Sequence, residues 1–179
     1  ASIILSTYNR PQALLTVLEA LKLQTIQDFE VCIADDGSTK DTQQIIENFQ
    51  QNSAFPILHA WQDDRGFRAA SARNNAVRMS SGDYLLFLDG DCIPRPNWIQ
   101  QHLTLSEKHA FVAGNRVLLD ETLSHAIETH RIPFTDLFGL NVLRHKEHIN
   151  RLIPLLKIPL GSMRKLKPTS WAKVRTCNL

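Results

Sequence analysis

The chain has 179 residues, 43% of them apolar and 21% charged, enough to bury one proper core in the ordinary globular range and natural for one domain. Three scattered cysteines, Cys32, Cys92 and Cys177, exclude a disulfide framework and a zinc site of CxxC spacing, which makes a reducing cytoplasmic setting the default. No run of eighteen apolar residues is present, and Ala1 to Ser6 lacks the basic flank of a signal peptide, so a soluble chain is expected, one still able to touch a membrane.

The net charge of +2 hides an asymmetry. Residues 1–143 hold 11 Lys or Arg against 17 Asp or Glu, whereas residues 144–179 hold nine against one. A solvated basic face and a surface that attracts phosphates or an anionic membrane both account for that tail. Nucleic acid is not the expected partner, because no aromatic residues interleave with these charges as stacking platforms.

Short β-branched runs alternate with stretches of helical period, the pattern of βαβ units around a mainly parallel sheet. Ser2 to Ser6 reads as the first strand. Pro11 then opens a helix whose stripe is Leu14, Leu15, Leu18, Leu21 and Leu23. Phe29 to Ala34 is the second strand; it runs into the turn residues Asp35 to Thr39 and a helix carrying Ile45, Ile46 and Phe49. Pro56 to Trp61 is a third strand, followed by the polar loop Gln62 to Gly66 and a helix over Ala69 to Met79.

Ser81-Gly82-Asp83 breaks that helix, and Tyr84 to Leu88 is a continuous apolar run, as expected for a central strand buried on both faces. It delivers Asp89-Gly90-Asp91 to its carboxyl end, after which Pro94 and Pro96 open a helix with Trp98, Ile99 and Leu103. A further strand is expected over Phe111 to Leu119, and helices around Leu123 to His130 and Phe134 to Ile149. Ile153 through Pro168 is Pro-broken and basic, more loop than packed element. Residues 1–119 then form the main α/β unit and residues 120–179 a partial, truncated region of the same domain.

In open α/β sheets ligands lie outside the carboxyl ends of the strands, which here carry Ser6-Thr7-Tyr8-Asn9, Asp35-Asp36-Gly37-Ser38 and Asp89-Gly90-Asp91. Two aspartates flanking a glycine can present both carboxylates to one hard cation that bridges phosphate oxygens. A plain Asp-Gly turn is the alternative reading. Arg68, ahead of a helix that carries Arg73, suits phosphate oxygens, or else a surface pair with Asp63 or Asp64. Asp36 can accept from a nucleobase or ribose, although Asp-Gly-Ser is also an ordinary strand-to-helix turn. The seven histidines show no HExxH arrangement and read as surface or partly buried residues. Trp61, Trp98 and Trp171 read as core or rim residues.

Four segments in this order, Ser6 to Pro11, Asp35 to Thr39, Gly66 to Asn74 and Phe87 to Asp91, resemble the inverting GT-A glycosyltransferases of family 2. The resemblance covers about residues 2 to 118, and Thr176-Cys177-Asn178-Leu179 looks like the strand leading to that family's acceptor side. It implies a three-layer α/β/α sandwich with a mainly parallel central sheet, residues 1–119 binding the nucleotide sugar and residues 120–179 lying on the acceptor side. The implied reaction is transfer of a sugar, with inversion, from a UDP-sugar or other nucleoside-diphosphate sugar to a glycan or lipid-linked acceptor, in polysaccharide or other cell-surface glycan synthesis.

By the same resemblance Ser6 and Tyr8 line the donor base, Asp36 accepts from the base, and Arg68 approaches base or phosphates. Asp89 holds the ribose or a metal-bound water, and Asp91 of this DXD motif binds Mn2+ or Mg2+ directly. The general base departs from the pattern, because Lys157 to Leu179 contains no acidic residue; it is expected beyond Leu179. A non-catalytic nucleotide-sugar-binding domain is therefore the alternative. Phosphatases that use Asp-x-Asp fit poorly, since their motif belongs on the first strand, and a dinucleotide-binding oxidoreductase lacks its GxGxxG here. The implied location is cytoplasmic, with peripheral contact at the inner membrane face through the basic tail.

Overall fold

Alternating apolar residues at Ser2–Thr7 (β1), Glu30–Asp35 (β2), Ile57–Trp61 (β3) and Leu85–Asp89 (β4) form a four-stranded sheet of order β3-β2-β1-β4 in this computed structural model. Residues 1–152 are described. Every strand pair is parallel, with Ser6 opposite Ala34 on one side and Asp89 on the other.

The period of two sorts side chains to the two faces. Ile3, Leu5, Val31, Ile33, Leu86 and Leu88 pack against Pro11–Leu21 (α1), Lys40–Gln51 (α2) and Trp98–Leu105 (α4) through Leu14, Leu18, Ile46, Phe49 and Ile99. Ile4, Cys32, Ala34 and Ala60 face Ala69–Met79 (α3), whose Ala72 and Ala76 are fully buried. Small residues on both sides let α3 lie close to the sheet. The result is the expected three-layer α/β/α sandwich with a parallel central sheet.

Three elements differ from the sequence reading. The Tyr84 to Leu88 run enters β4 at an edge of this sheet, with Leu86 and Leu88 buried and Leu85 and Phe87 half-buried. Its apolar character reflects two covered faces, one by α4 and α1 and one incompletely by α3. Phe111 to Leu119 forms no strand; only Leu119 pairs, by an isolated antiparallel bridge to Ile149. Gly114-Asn115-Arg116 interrupts its apolar pattern, and a strand needs a continuous partner. The expected helix over Phe134 to Ile149 is two 3-10 segments, Phe134–Leu137 and Asn141–His148, divided at Gly139 (φ 62°) and kinked at His145.

The helix near Leu123 is Glu121–Glu128 (α5), capped by Asp120, whose carboxylate accepts from the Leu123 N–H. Leu123, Ile127, Val142 and Ile149 form a small separate core there. The basic stretch from Ile153 to Pro168, Trp171 and Thr176 to Leu179 lie outside the described residues.

Candidate functional site

All four strands point their carboxyl ends to one side. The chain steps from β1 to β2 to β3 in one direction and then places β4 on the other flank of β1, so the topological switch point lies between Ser6 and Asp89. At that point Ser6 Oγ donates to Asp89 Oδ1 at 3.0 Å. Arg73, reaching from α3, donates to the same Asp89 oxygen at 2.7 Å and to Ser6 Oγ at 3.0 Å. The side chains of Arg73 and Asp89 are 21% and 27% exposed, dry enough for the pair to hold one geometry.

Gly90 lets the following turn fit. Its N–H donates to the Ser6 carbonyl at 2.7 Å, and a Cβ at this position would lie 2.7 Å from that same oxygen. The backbone therefore passes β1 where no larger residue fits, fixing Asp89 inward and leaving Asp91 exposed.

A second group gathers at the ends of β2 and β3. Asp36, 4% exposed, accepts from the Gln62 amide at 2.6 Å and from the Arg68 backbone N–H at 2.7 Å. Gln62 also accepts from Ser71 and Asn75 of α3. The Arg68 guanidinium donates to the Asp63 carbonyl, so neither surface pair foreseen for it forms through a carboxylate. Tyr8 donates to Asp64 at 2.9 Å, and this bond to a carboxylate raises the phenol above its usual pKa while the ring stays half exposed. Gly37 (φ 98°) permits the crossing of the two loops, since a Cβ there would meet the Asp64 backbone at 2.5 Å.

Beneath these loops Asp35 is fully buried. Burial alone would raise its pKa, but the bonds from His59 at 2.9 Å and the Ser38 N–H at 2.8 Å, with the charge of His59, outweigh it and hold the carboxyl below its ordinary value. Asn9 (φ 49°) ties the β1 loop to the same turn, its N–H donating to Ser38 Oγ and its side chain accepting from the Thr39 N–H.

Among the described residues, the group suited to a divalent cation is Asp89, Asp91 and Cys92, whose ligand atoms all lie within 4.8 Å of one another. Two carboxylates suit Mg2+ or Mn2+, which complete their shells with water and phosphate oxygens. Beside Asp91 opens a cavity of about 740 Å3, running from Arg10 and Thr16 past Trp98 to Leu119, Leu137 and Ile149.

The expected site residues thus fall into two groups. Ser6 and Asp89 are bonded directly, with Asp91 two residues on, while Tyr8, Asp36 and Arg68 share the loop pair at β2 and β3. The bonds that Gln62, Asp64, Asn9, Asp35 and His59 make here were not foreseen, although Asn9 and Asp35 stood among the expected strand-end residues and Asp64 as a possible partner of Arg68. Their partners stand 24 to 56 residues away in sequence, beyond any local pattern, although His59 inside a short apolar strand was a signal. Trp98 is a core residue, and Trp61 is a rim residue whose indole donates to the Ser38 carbonyl.

Comparison with known proteins agrees with this architecture. Residues 2–164 match the family described as glycosyl transferase family 2. Validoxylamine A glucosyltransferase of Streptomyces hygroscopicus subsp. jinggangensis is 37% identical over 120 residues, 66% of this chain and 27% of that protein. Hyaluronan synthase of Pasteurella multocida is 35% identical over 122 residues, 66% of this chain and 12% of that protein. The chain thus spans under a third of the length of these relatives. A mannosyltransferase of Pyrobaculum calidifontis, solved in complex with GDP-Man and Mn2+, shares the fold with a TM-score of 0.52 at 21% identity, over 66% of this chain and 34% of that one. With its family match running from β1 through the described residues, the chain belongs to glycosyl transferase family 2.

Proposed function

We propose that this chain is the donor-binding part of a glycosyltransferase that moves a sugar, with inversion, from a UDP-sugar to a glycan or lipid-linked acceptor. One observation carries the reading: at the switch point Asp89 is pinned by Arg73 and Ser6, while Asp91, one glycine away, projects from the same turn. Asp91 would hold Mn2+ or Mg2+ and Asp89 would orient the ribose or a water at the cation; when bound, the cation would supply positive charge to offset that on the departing diphosphate.

The loop pair at β2 and β3 takes the nucleoside. Tyr8 packs its exposed ring against uracil, the backbone around Asp36 and Ser6 frames it, and Arg68 approaches base or phosphate. Asp36 has both oxygens already bonded within the protein, so in this reading it sets the shape of the base pocket and accepts from the base with a remaining lone pair. The cavity beside Asp91, lined by residues between Arg10 and Leu119 and between Ser124 and Ile149, is in this reading where the acceptor is received.

No described helix is long and apolar enough to cross a membrane. The Lys/Arg excess of residues 144–179 supports peripheral contact at a cytoplasmic membrane face, where glycans or lipid-linked acceptors for cell-surface polysaccharide are met.

The test is release of UDP from a panel of UDP-sugars by the protein with Mn2+, with and without glycan acceptors. Turnover of at least one donor that disappears in Asp91→Ala supports the reading. Turnover that persists in that variant, or failure of the chain to bind any of these UDP-sugars with Mn2+, sinks it.

A further inference from the structure

We propose that Gln62 is a positioning residue that sets the base selectivity of the donor site, by holding the Asp36 carboxylate as an acceptor for a base that carries a ring N–H, as uracil does. The inference rests on the reading of Asp36 as a partner of the base, and it names what makes that partner selective.

Gln62 follows β3 at the carboxyl end of the sheet, where its backbone N–H donates to the Asp35 carbonyl at 3.2 Å and carries the β2–β3 pairing one residue past Trp61. That bond fixes where the side chain starts. The two ends of the side-chain amide then meet opposite kinds of group. At one end stand two acceptors, Asp36 Oδ1 at 2.6 Å and the Arg68 carbonyl at 3.4 Å. At the other, Ser71 Oγ donates to Gln62 Oε1 at 3.0 Å and Asn75 Nδ2 at 3.2 Å, four residues apart on one face of α3. One orientation of the amide satisfies all four, with its NH2 turned to Asp36.

Asp36 is thereby held at two points. Gln62 occupies Oδ1 and the Arg68 backbone N–H occupies Oδ2 at 2.7 Å, so the carboxylate cannot turn without losing one of them. A carboxylate has about four lone-pair positions, and two donors leave about two, each an acceptor. A base that faces Asp36 must therefore bring a hydrogen. Uracil presents its ring N–H, whereas cytosine presents a bare nitrogen lone pair at the same ring position and meets the carboxylate acceptor to acceptor. The phenol of Tyr8, its pKa raised chiefly by the bond to Asp64, is raised further by the charge of Asp36, which places that carboxylate near the half-exposed ring assigned to the base.

An amide suits this position where its isosteres do not. A carboxylate would still accept from Ser71 and Asn75 but would set an oxygen against Asp36 Oδ1, and like charges at that separation drive the two apart. An apolar side chain of similar length would leave Asp36 on the Arg68 bond alone.

The experiment is calorimetric titration of the 179-residue chain, in the presence of Mn2+, with UDP, CDP or pyrophosphate. Wild type, Gln62→Glu and Gln62→Met are compared, each with a thermal melt that shows a cooperative fold. We expect wild type to bind UDP at least about tenfold more tightly than CDP. That ratio should fall about fivefold in Gln62→Met and further in Gln62→Glu, while pyrophosphate, which meets the Asp91 turn and not Asp36, binds within about twofold of wild type.

A UDP-to-CDP ratio unchanged in a folded variant overturns the inference and leaves Gln62 to the fold alone. Equal losses of UDP and pyrophosphate overturn it too, because they trace to the cation turn rather than to the base. A wild type that binds UDP and CDP equally, each only with Mn2+, overturns the inference and leaves the cation reading standing. A wild type that binds neither removes both.

Discussion

Arg73 and Asp89 meet at 2.7 Å across the switch point of the sheet, and the same guanidinium holds Ser6, so three elements, α3, β4 and β1, share one hydrogen-bonded node. Asp89 is thereby oriented before any ligand arrives, and its charge is partly balanced. Asp91 carries the outward carboxylate of the motif.

Removing Arg73 should therefore do two things. In Arg73→Met the half-buried Asp89 loses its strongest partner, at a cost of about 1–3 kcal/mol in urea unfolding. Calorimetry should also show a loss of UDP affinity larger than in Arg78→Met, a change on the exposed last turn of the same helix. Equal affinities in the two variants would show that the node serves the fold alone.

Gly37 tests the crossing of the loops. Its φ of 98° lies in the left-handed region, worth about 1–2 kcal/mol against alanine, and a Cβ would also strike the Asp64 backbone, which cannot swing aside. Gly37→Ala should lower the melting temperature by several degrees, whereas Gly66→Ala, with open space around it but a φ of 83°, should cost less. The reverse order in a thermal melt would contradict the described crossing.

Buried Asp35 gives a pH signature. Its folded pKa lies below the unfolded value of about 3.8, because the His59 and Ser38 bonds outweigh burial. The stabilisation is complete above that unfolded value and is lost as pH falls through the lower folded one. Wild-type urea midpoints should therefore drop steeply at acid pH, and Asp35→Asn should flatten that limb while lowering stability near neutrality. An unchanged acid limb in the variant would show that other carboxylates govern it.

Much of this was legible in the sequence because it was local. The strands and α3 lie near their expected bounds, since period-two apolar runs and Gly or Asp turns are short-range signals. The node at Asp89 was half legible: the Asp-Gly-Asp motif was plain, but Arg73 comes to it only because α3 packs on the sheet through Ala72 and Ala76. That Asp36 follows the end of β2 was legible, while its bonds to Gln62 and Arg68 came from a loop crossing that no spacing encodes. Segment 111–119 misled because apolar, β-branched residues were present without a strand for them to pair with.

The most direct test of the central claim, that Asp91 holds a divalent cation on a nucleoside diphosphate, is calorimetric titration of the chain with UDP, with and without Mn2+, in wild type and Asp91→Ala. UDP binding should require Mn2+ and vanish in the variant. Binding of equal strength without the cation, or its survival in Asp91→Ala, would contradict it.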